Sequence, residues 1–193
     1  MPRTSEENER IRKLAKENIR AAAMDVFIER GYHAASIEDV AKRAGISKGL
    51  MYNYYKGKEQ LLAEVVRTRM EDIDRVMKEA SALPEPSAQL KHIVDGALDG
   101  VKAKPKLYRF YLHLQTQPEE DHVLAKYSQM LNDEMAKQYE VQCEMFTKLG
   151  AENPRIRSIH FSSSLHGAML LLSIYPDFPV QKIKEQIIEQ FCS

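Results

Sequence analysis

The sequence predicts an all-α protein, and two observations carry that prediction. Apolar residues recur at three- and four-residue spacing along most of the 193 residues, which is the spacing of one face of a helix. No segment alternates between apolar and polar residues for long enough to indicate a strand. Glycines and prolines separate the periodic segments, so we expect a series of helices joined by short turns.

The first two helices have clear end signals. Helical spacing of apolar residues runs over residues 7–30, and Gly31 follows as a C-terminal cap. The second helix is expected to begin at Ser36, whose hydroxyl can cap it while Asp39 completes a capping box. Gly45 is expected to end this helix.

The remaining helices follow from the same signals. A third is expected over residues 48–55, with Ser47 as its cap, and a long fourth over 58–80. Two prolines in the segment LPEPS, residues 83–87, indicate a linker. Beyond it, helices are expected over residues 90–101, 107–114, 119–149, 156–175 and 180–191. The predicted organisation is an N-terminal domain, a connecting helix and a C-terminal domain over residues 1–58, 58–80 and 81–193.

Composition excludes several classes of protein. The chain is 44% hydrophobic and 29% charged, as expected for a globular domain, and no apolar run is long enough to cross a membrane. The first 18 residues are charged and lack the apolar core of a signal peptide. Cys143 and Cys192 lie far apart in sequence, so we expect two free thiols in a reducing cytoplasm.

Charge is divided unevenly along the chain although the net charge is zero. Residues 1–58 hold twelve Lys and Arg against eight Asp and Glu, and residues 59–193 hold sixteen against twenty. A basic end on an acidic body is expected when one end of a protein meets a polyanion. The asymmetry is modest and is also compatible with chance.

No motif predicts catalysis, a cofactor or a metal. The sequence contains no P-loop, no dinucleotide fingerprint and no nucleophile elbow. His160 and His166 are six residues apart and do not share a helix face at metal-ligand spacing. We therefore expect a protein that is not an enzyme and that needs no cofactor.

Residues 36–55 have the pattern of a helix-turn-helix, in which the second helix lies in the major groove of DNA. At 100° per residue, two arcs separate on that second helix. The outward arc contains Lys48, Gly49, Tyr52 and Asn53, and the inward arc contains Met51 and Tyr55. Helix–glycine–helix pairs are common, so spacing alone leaves an ordinary turn as an alternative.

The outward side chains suit DNA chemically. Lys48 can hydrogen-bond a guanine edge or a phosphate, and Asn53 carries the donor and acceptor that match adenine. The hydroxyl groups of Tyr52 and Tyr54 can reach phosphates. Gly49 makes sense where a backbone must approach another surface closely, since glycine costs about 1 kcal/mol in a helix relative to alanine. Two more lysines flank the next helix start, where they anchor phosphates or form a solvated face; these are Lys56 and Lys58.

Residues 19–62 resemble the DNA-binding domain of the TetR family of bacterial transcriptional regulators. The segments ERGYHAAS, IEDVAKRAGISKG and MYNYYKGKEQLL carry the resemblance. It implies DNA contacts by Ser36, Ser47, Lys48, Gly49, Leu50, Tyr52, Asn53, Tyr54 and Lys58. Two positions depart from the family pattern: many members have a small hydroxyl residue in place of Leu50, and His or Phe is frequent in place of Tyr54. The operator sequence is therefore not predicted.

The resemblance also implies a homodimer with a helical C-terminal domain that binds a small effector. Helix 156–175 is apolar or small nearly all round, so it must be buried on more than one side. One side can face its own domain and the other a second copy, or the helix can be central in a monomer. The residues expected at the dimer interface are Ser163, Gly167, Leu170, Ile183 and Ile187.

An effector pocket is expected in the C-terminal domain, because apolar side chains with a few polar tips suit drug-sized ligands. The residues expected to line it are Met70, Phe110, His113, Tyr127, Met130 and Phe161. Each of these could instead belong to the core. The predicted function is that of a homodimeric repressor that a small apolar effector releases from a palindromic double-stranded DNA operator. The alternatives are an architectural DNA-binding protein without an effector and a helical carrier or enzyme with a fortuitous helix-turn-helix.

Overall fold

The computed structural model describes residues 4–117 and 120–192, and every regular element within these ranges is an α-helix. This confirms the predicted fold class. The helices of the described chain are α1 (Ser5–Ala34), α2 (Ile37–Ala44), α3 (Lys48–Tyr54), α4 (Lys58–Ser81), α5 (Pro86–Ala103), α6 (Pro105–Gln115), α7 (His122–Lys148), α8 (Pro154–Ile174) and α9 (Val180–Phe191). None of the helices in these ranges is long and apolar enough to span a bilayer.

The chain divides into two compact units, Met1–Arg69 and Met70–Ser193, and the division falls inside α4. Each unit has its own buried side chains. We call them the N-terminal unit and the C-terminal unit.

Proline explains why α5 and α8 begin earlier than expected, and Pro105 opens α6 as expected. Pro86, Pro105 and Pro154 open α5, α6 and α8, because proline lacks only an N–H that the first turn of a helix does not use. The linker expected at 83–87 is therefore partly helical. Helix α7 begins at His122, where the side chain of Asp121 accepts from the Leu124 N–H at 3.1 Å. The start expected for this helix, residue 119, lies outside the described residues.

The N-terminal unit packs α1, α2 and α3 together with the first turns of α4. Its fully buried side chains include Ile19, Phe27, Val40, Met51 and Leu61. Helix α1 is interrupted at Gly31, which adopts φ 74° and ψ 163° before the chain turns towards α2. The glycine therefore lies where the sequence predicted the end of the first helix, and a short helical stretch follows it.

The C-terminal unit is built around an aromatic cluster. The rings of Phe146, Phe161 and Phe191 meet edge to face, with centroids 5.5–6.4 Å apart. These three residues come from α7, α8 and α9 and are at most 1% exposed. Edge-to-face packing of this kind adds about 0.5–1.5 kcal/mol per pair beyond the area buried. The cluster holds the last three helices together.

A buried polar contact joins α7 to α8. The Ser162 hydroxyl donates to Gln142 Oε1 at 2.6 Å, and the Ser158 hydroxyl donates to the Tyr139 carbonyl at 2.9 Å. Gln142, Ser158 and Ser162 are all buried. We call these three residues the α7–α8 polar contact.

Candidate functional site

The turn between α1 and α2 is fixed by a set of reciprocal hydrogen bonds. The Asp39 N–H donates to Ser36 Oγ at 3.1 Å, and the Ser36 N–H donates to Asp39 Oδ2 at 3.0 Å. Arg30 of α1 also contacts Asp39 Oδ1 at 2.7 Å. The Ser36 hydrogen bonds and the Arg30 charge lower the pKa of Asp39. Ser36 therefore acts as the predicted cap, and its hydroxyl is engaged within the protein.

The next turn aims α3 outwards. Gly45 adopts φ 69°, a left-handed conformation that glycine tolerates, and the Ile46 N–H then donates to the Ala41 carbonyl at 3.0 Å. Ser47 caps α3, because its side chain accepts from the Leu50 N–H at 3.1 Å. These local signals were readable from the sequence.

Helix α3 has one buried side and one exposed side. Met51 is fully buried and Tyr55, just after the helix, is 4% exposed. The opposite side carries Lys48, Gly49, Tyr52 and Asn53, all of them exposed. We call these four residues the recognition surface.

Two further predicted DNA contacts lie at the margin of the recognition surface. Leu50 is 41% exposed, and Tyr54 is half-buried. Leu50 therefore offers an apolar side chain next to the polar groups of the recognition surface. Ser47 is exposed, although its hydroxyl is used as a cap.

The amine of Lys58 binds backbone carbonyls inside the N-terminal unit, whereas the resemblance implied that it contacts DNA. Its amine donates to the carbonyls of Tyr32, His33 and Ala35 at 3.0, 2.9 and 3.2 Å. The same amine lies 4.7 Å from the centroid of the Tyr32 ring. A lysine has three N–H donors, so these carbonyls use all of them. The side chain caps the end of α1 instead of projecting towards a phosphate.

Several basic side chains at this end of the chain are paired with carboxylates. Lys48 forms an ion pair with Glu38. The Arg43 guanidinium group donates to Glu29 Oε1 at 3.0 Å. The hydrogen bond and the charge of Glu38 raise the pKa of Lys48. Counting charges along the sequence could not reveal these pairs, because their partners are 10 and 14 residues apart.

The residues expected to line an effector pocket differ in burial, and their role in a pocket stays a prediction. Phe161 belongs to the aromatic cluster, and Tyr127 is also buried. His113 and Met130 are exposed, whereas the other two, Met70 and Phe110, are half-buried.

Two cavities of the C-terminal unit have other linings. One of about 430 Å³ lies at the start of α8, beside Phe146, Arg157, His160 and Phe191. The other, of about 480 Å³, lies between α5 and α9 and is lined largely by charged residues such as Lys91 and Lys184. None of the six predicted pocket residues lines either cavity. Within the described ranges, no three His, Cys, Asp or Glu side chains are grouped to hold a metal ion.

An apolar strip runs along the outer side of α8. Ile156 and Ile174 are 59% and 49% exposed, and Ile159 and Leu171 are also exposed. Two small residues, the predicted Ser163 and Gly167, are exposed midway along the same side. We call these six residues the α8 strip. The sequence marked α8 as apolar all round, but only the structure shows which apolar side chains are left outside.

The other predicted interface residues differ in position. Leu170 is half-buried beside the α8 strip. Ile187 is 5% exposed because it packs in the core of its own unit, and Ile183 packs against the same core. These two isoleucines are one helical turn apart, so they share the inner side of α9. Ile187 thus packs inside its own unit, and its place at a dimer interface stays a prediction.

Comparison with known proteins finds a family profile over residues 19–65, described as bacterial regulatory proteins of the tetR family. The chain is 30% identical to the HTH-type transcriptional activator FasR of Mycolicibacterium smegmatis over 46% of this chain and 41% of the relative. It is 33% identical to the HTH-type transcriptional regulator BetI of Vibrio atlanticus over 51% of each chain. The chain thus spans about half the length of these curated relatives.

Solved structures share the fold over most of both chains. The transcriptional regulator FadR from Bacillus subtilis in complex with stearoyl-CoA matches with a TM-score of 0.71 at 19% identity, over 92% of this chain and 97% of that one. AibR in complex with isovaleryl coenzyme A and operator DNA matches with a TM-score of 0.69 at 16% identity, over the same shares. At such identities the likeness shows the fold alone.

Proposed function

The chain belongs to the tetR family of bacterial regulatory proteins through its residues 19–65, and from this premise we propose that it is a homodimeric repressor of transcription that binds double-stranded DNA. The observation that carries the proposal is the recognition surface. A helix-turn-helix presents the outer side of its second helix to the major groove, where Lys48 and Asn53 have suitable hydrogen-bonding groups. Exposed Tyr52 adds a hydroxyl on a rigid ring for a phosphate.

The α8 strip supports the homodimer. Exposed apolar side chains arranged in one row are unusual on a monomer and mark an interaction surface. A two-fold interface brings the same surface of each copy together, and Ser163 and Gly167 would let two α8 helices approach closely in its middle. Two recognition helices one DNA turn apart would then read a palindromic operator.

A small apolar effector is the proposed signal. AibR and the Bacillus subtilis FadR each match this fold in complex with an acyl-coenzyme A, so ligands of that class are the first to test on this chain. The effector would release the operator by favouring the dimer conformation whose half-site spacing does not fit DNA. The 430 Å³ cavity at the start of α8 is large enough to receive part of such a ligand.

One observation favours the alternative, an architectural DNA-binding protein without an effector. Phe161 and Tyr127, which were expected to line a pocket, are packed in the core. Thermal unfolding with stearoyl-CoA, isovaleryl-CoA and free coenzyme A separates the two functions. A rise in melting temperature together with release of bound DNA supports a regulator. If neither acyl-CoA changes the melting temperature or releases DNA, this ligand class is not the effector, and the result favours the architectural function.

DNA selection with the purified protein tests the DNA-binding function itself. Sequencing of the retained duplexes is expected to give a palindrome with half-sites about one helical turn apart. The affinity for that duplex should fall steeply as salt rises, because phosphate contacts release counterions. Enrichment of no sequence, or binding that does not change with salt, would contradict the proposal.

Substitutions in the recognition surface test its role directly. Lys48→Ala and Tyr52→Ala should each abolish the gel shift with the selected duplex while the protein stays dimeric by light scattering. Unchanged affinity in both variants would show that another surface reads the DNA.

A further inference from the structure

A carboxylate lies next to the recognition surface. Glu38 is the second residue of α2, and it holds the ammonium group of Lys48, the first residue of α3, in an ion pair. Both side chains remain largely exposed, at 64% for Glu38 and 56% for Lys48. In the proposed function this surface lies next to DNA. The phosphates of DNA would repel the carboxylate of Glu38.

Glu38 is not needed to begin α2. The capping box of this helix is made by Ser36 and Asp39, and its hydrogen bonds satisfy the N–H groups of these two residues. An acidic residue in a first turn still gains from the helix dipole, but Asp39 supplies an acidic side chain there as well. The specific contact of Glu38 is therefore the one with Lys48.

We infer that Glu38 determines DNA selectivity by competing with DNA for Lys48. The inference rests on the proposed function. Before Lys48 can donate to a base edge or a phosphate, its ammonium group must break the ion pair with Glu38 or divide its N–H donors between Glu38 and the DNA. A duplex that offers a guanine acceptor to Lys48 replaces the lost ion pair. A duplex without such an acceptor leaves the Glu38 charge facing the phosphates, so the carboxylate penalises wrong sequences more than the operator.

The expected magnitude follows from the exposure of the pair. An exposed ion pair contributes about 0.2–1 kcal/mol, so removing the Glu38 charge should change affinity by roughly 1.5- to 5-fold. The test is Glu38→Gln in the full-length dimer, with fluorescence anisotropy on two labelled duplexes of equal length. One duplex carries the palindrome obtained by selection and the other a scrambled sequence. In Glu38→Gln, binding to the scrambled duplex should tighten more than binding to the palindrome. The ratio of the dissociation constant for the scrambled duplex to that for the palindrome should therefore fall.

A matched control and a double-mutant cycle separate competition from simple charge repulsion. Glu29→Gln removes the same charge from a pair with Arg43 that includes no residue of the recognition surface, and it should leave the ratio unchanged. The effect of Glu38→Gln should disappear when Lys48 is already alanine, measured at an ionic strength low enough for that variant to bind both duplexes.

Three results would overturn the inference. These are an unchanged or increased ratio in Glu38→Gln, an equal effect in Glu29→Gln, and an equal effect in the Lys48→Ala background. A wild-type protein that binds neither duplex would instead contradict the proposed function. Thermal unfolding of Glu38→Gln should stay cooperative, with a melting temperature within about 4 °C of the wild type, which excludes a loss of fold as the cause.

Discussion

Gly49 lies in the first turn of α3, where an added β-carbon would meet open space. The protein therefore has no packing reason to keep a glycine there. Gly49→Ala should raise the free energy of unfolding by up to about 1 kcal/mol, because alanine favours the helix. Operator affinity should fall at least tenfold if the groove wall approaches this backbone. Urea unfolding and anisotropy measure the two effects.

Gly100 supplies a matched control for Gly49. It is an exposed glycine inside α5, and an added β-carbon would also meet open space. Gly100→Ala should stabilise the protein without changing operator affinity. If Gly49→Ala behaves in the same way, the backbone at Gly49 makes no close approach to DNA.

Tyr55 carries a buried hydroxyl group with no hydrogen-bond partner in the described parts of the chain. Leaving such a group without a partner is unfavourable by about 1–3 kcal/mol. Tyr55→Phe should therefore raise the free energy of unfolding in urea without weakening DNA binding. Tyr52→Phe removes an exposed hydroxyl and should show the opposite pattern, with unchanged stability and weaker binding. A destabilised Tyr55→Phe variant would show that the hydroxyl has a partner after all.

The same tyrosine gives stability a dependence on pH. Burial, followed by the charge of Glu64, raises the pKa of Tyr55 above its usual value of 10.0. Above pH 10 the unfolded chain therefore loses this proton before the folded chain does, which lowers stability as pH rises. Tyr55→Phe removes this contribution and should flatten the decline.

Among the elements, α1 and α4 are tied together by the amine of Lys58 and three carbonyls. Lys58→Met keeps the apolar stem and removes the donors, so it should lower the free energy of unfolding by about 1–3 kcal/mol. Lys56→Met changes an exposed lysine of the loop before α4 and should leave stability unchanged. Urea unfolding of both variants is the measurement. Normal stability of Lys58→Met with a shallower salt dependence of DNA binding would identify Lys58 as a phosphate anchor.

The elements also show what the sequence could and could not predict. The caps at Ser36 and Ser47 and the turn at Gly45 depend on residues three or four positions apart, so helices α2 and α3 could be located from the sequence. Lys58 finds its carbonyls 23 to 26 residues away, and this pairing depends on how α1 packs on α4. Phe161 is an aromatic residue of the kind that can line a pocket, and its ring contacts with Phe146 and Phe191 depend on how α7, α8 and α9 pack.

For the whole molecule, the proposed interface should control DNA binding from a distance. Ile159→Glu with Ile174→Glu places two charges in the α8 strip and should give a monomer by light scattering. A monomer engages one half-site at a time, so operator affinity should fall by about 10²- to 10⁴-fold.

Leu14→Glu provides the control for the α8 strip. Leu14 is an exposed apolar residue of α1, outside the α8 strip, and its substitution should leave the dimer intact. A double variant of α8 that remains dimeric would place the interface elsewhere on the molecule.

The α7–α8 polar contact limits how the C-terminal unit can change shape. Sliding α8 along α7 by one turn would strand the hydroxyls of Ser158 and Ser162 and the amide of Gln142 away from water, at about 1–3 kcal/mol for each group. The two helices should therefore travel as a single rigid body. A conformational change caused by an effector should therefore move the other helices of the C-terminal unit relative to α7 and α8. In methyl NMR, the resonances of α7 and α8 should change least when an effector is added.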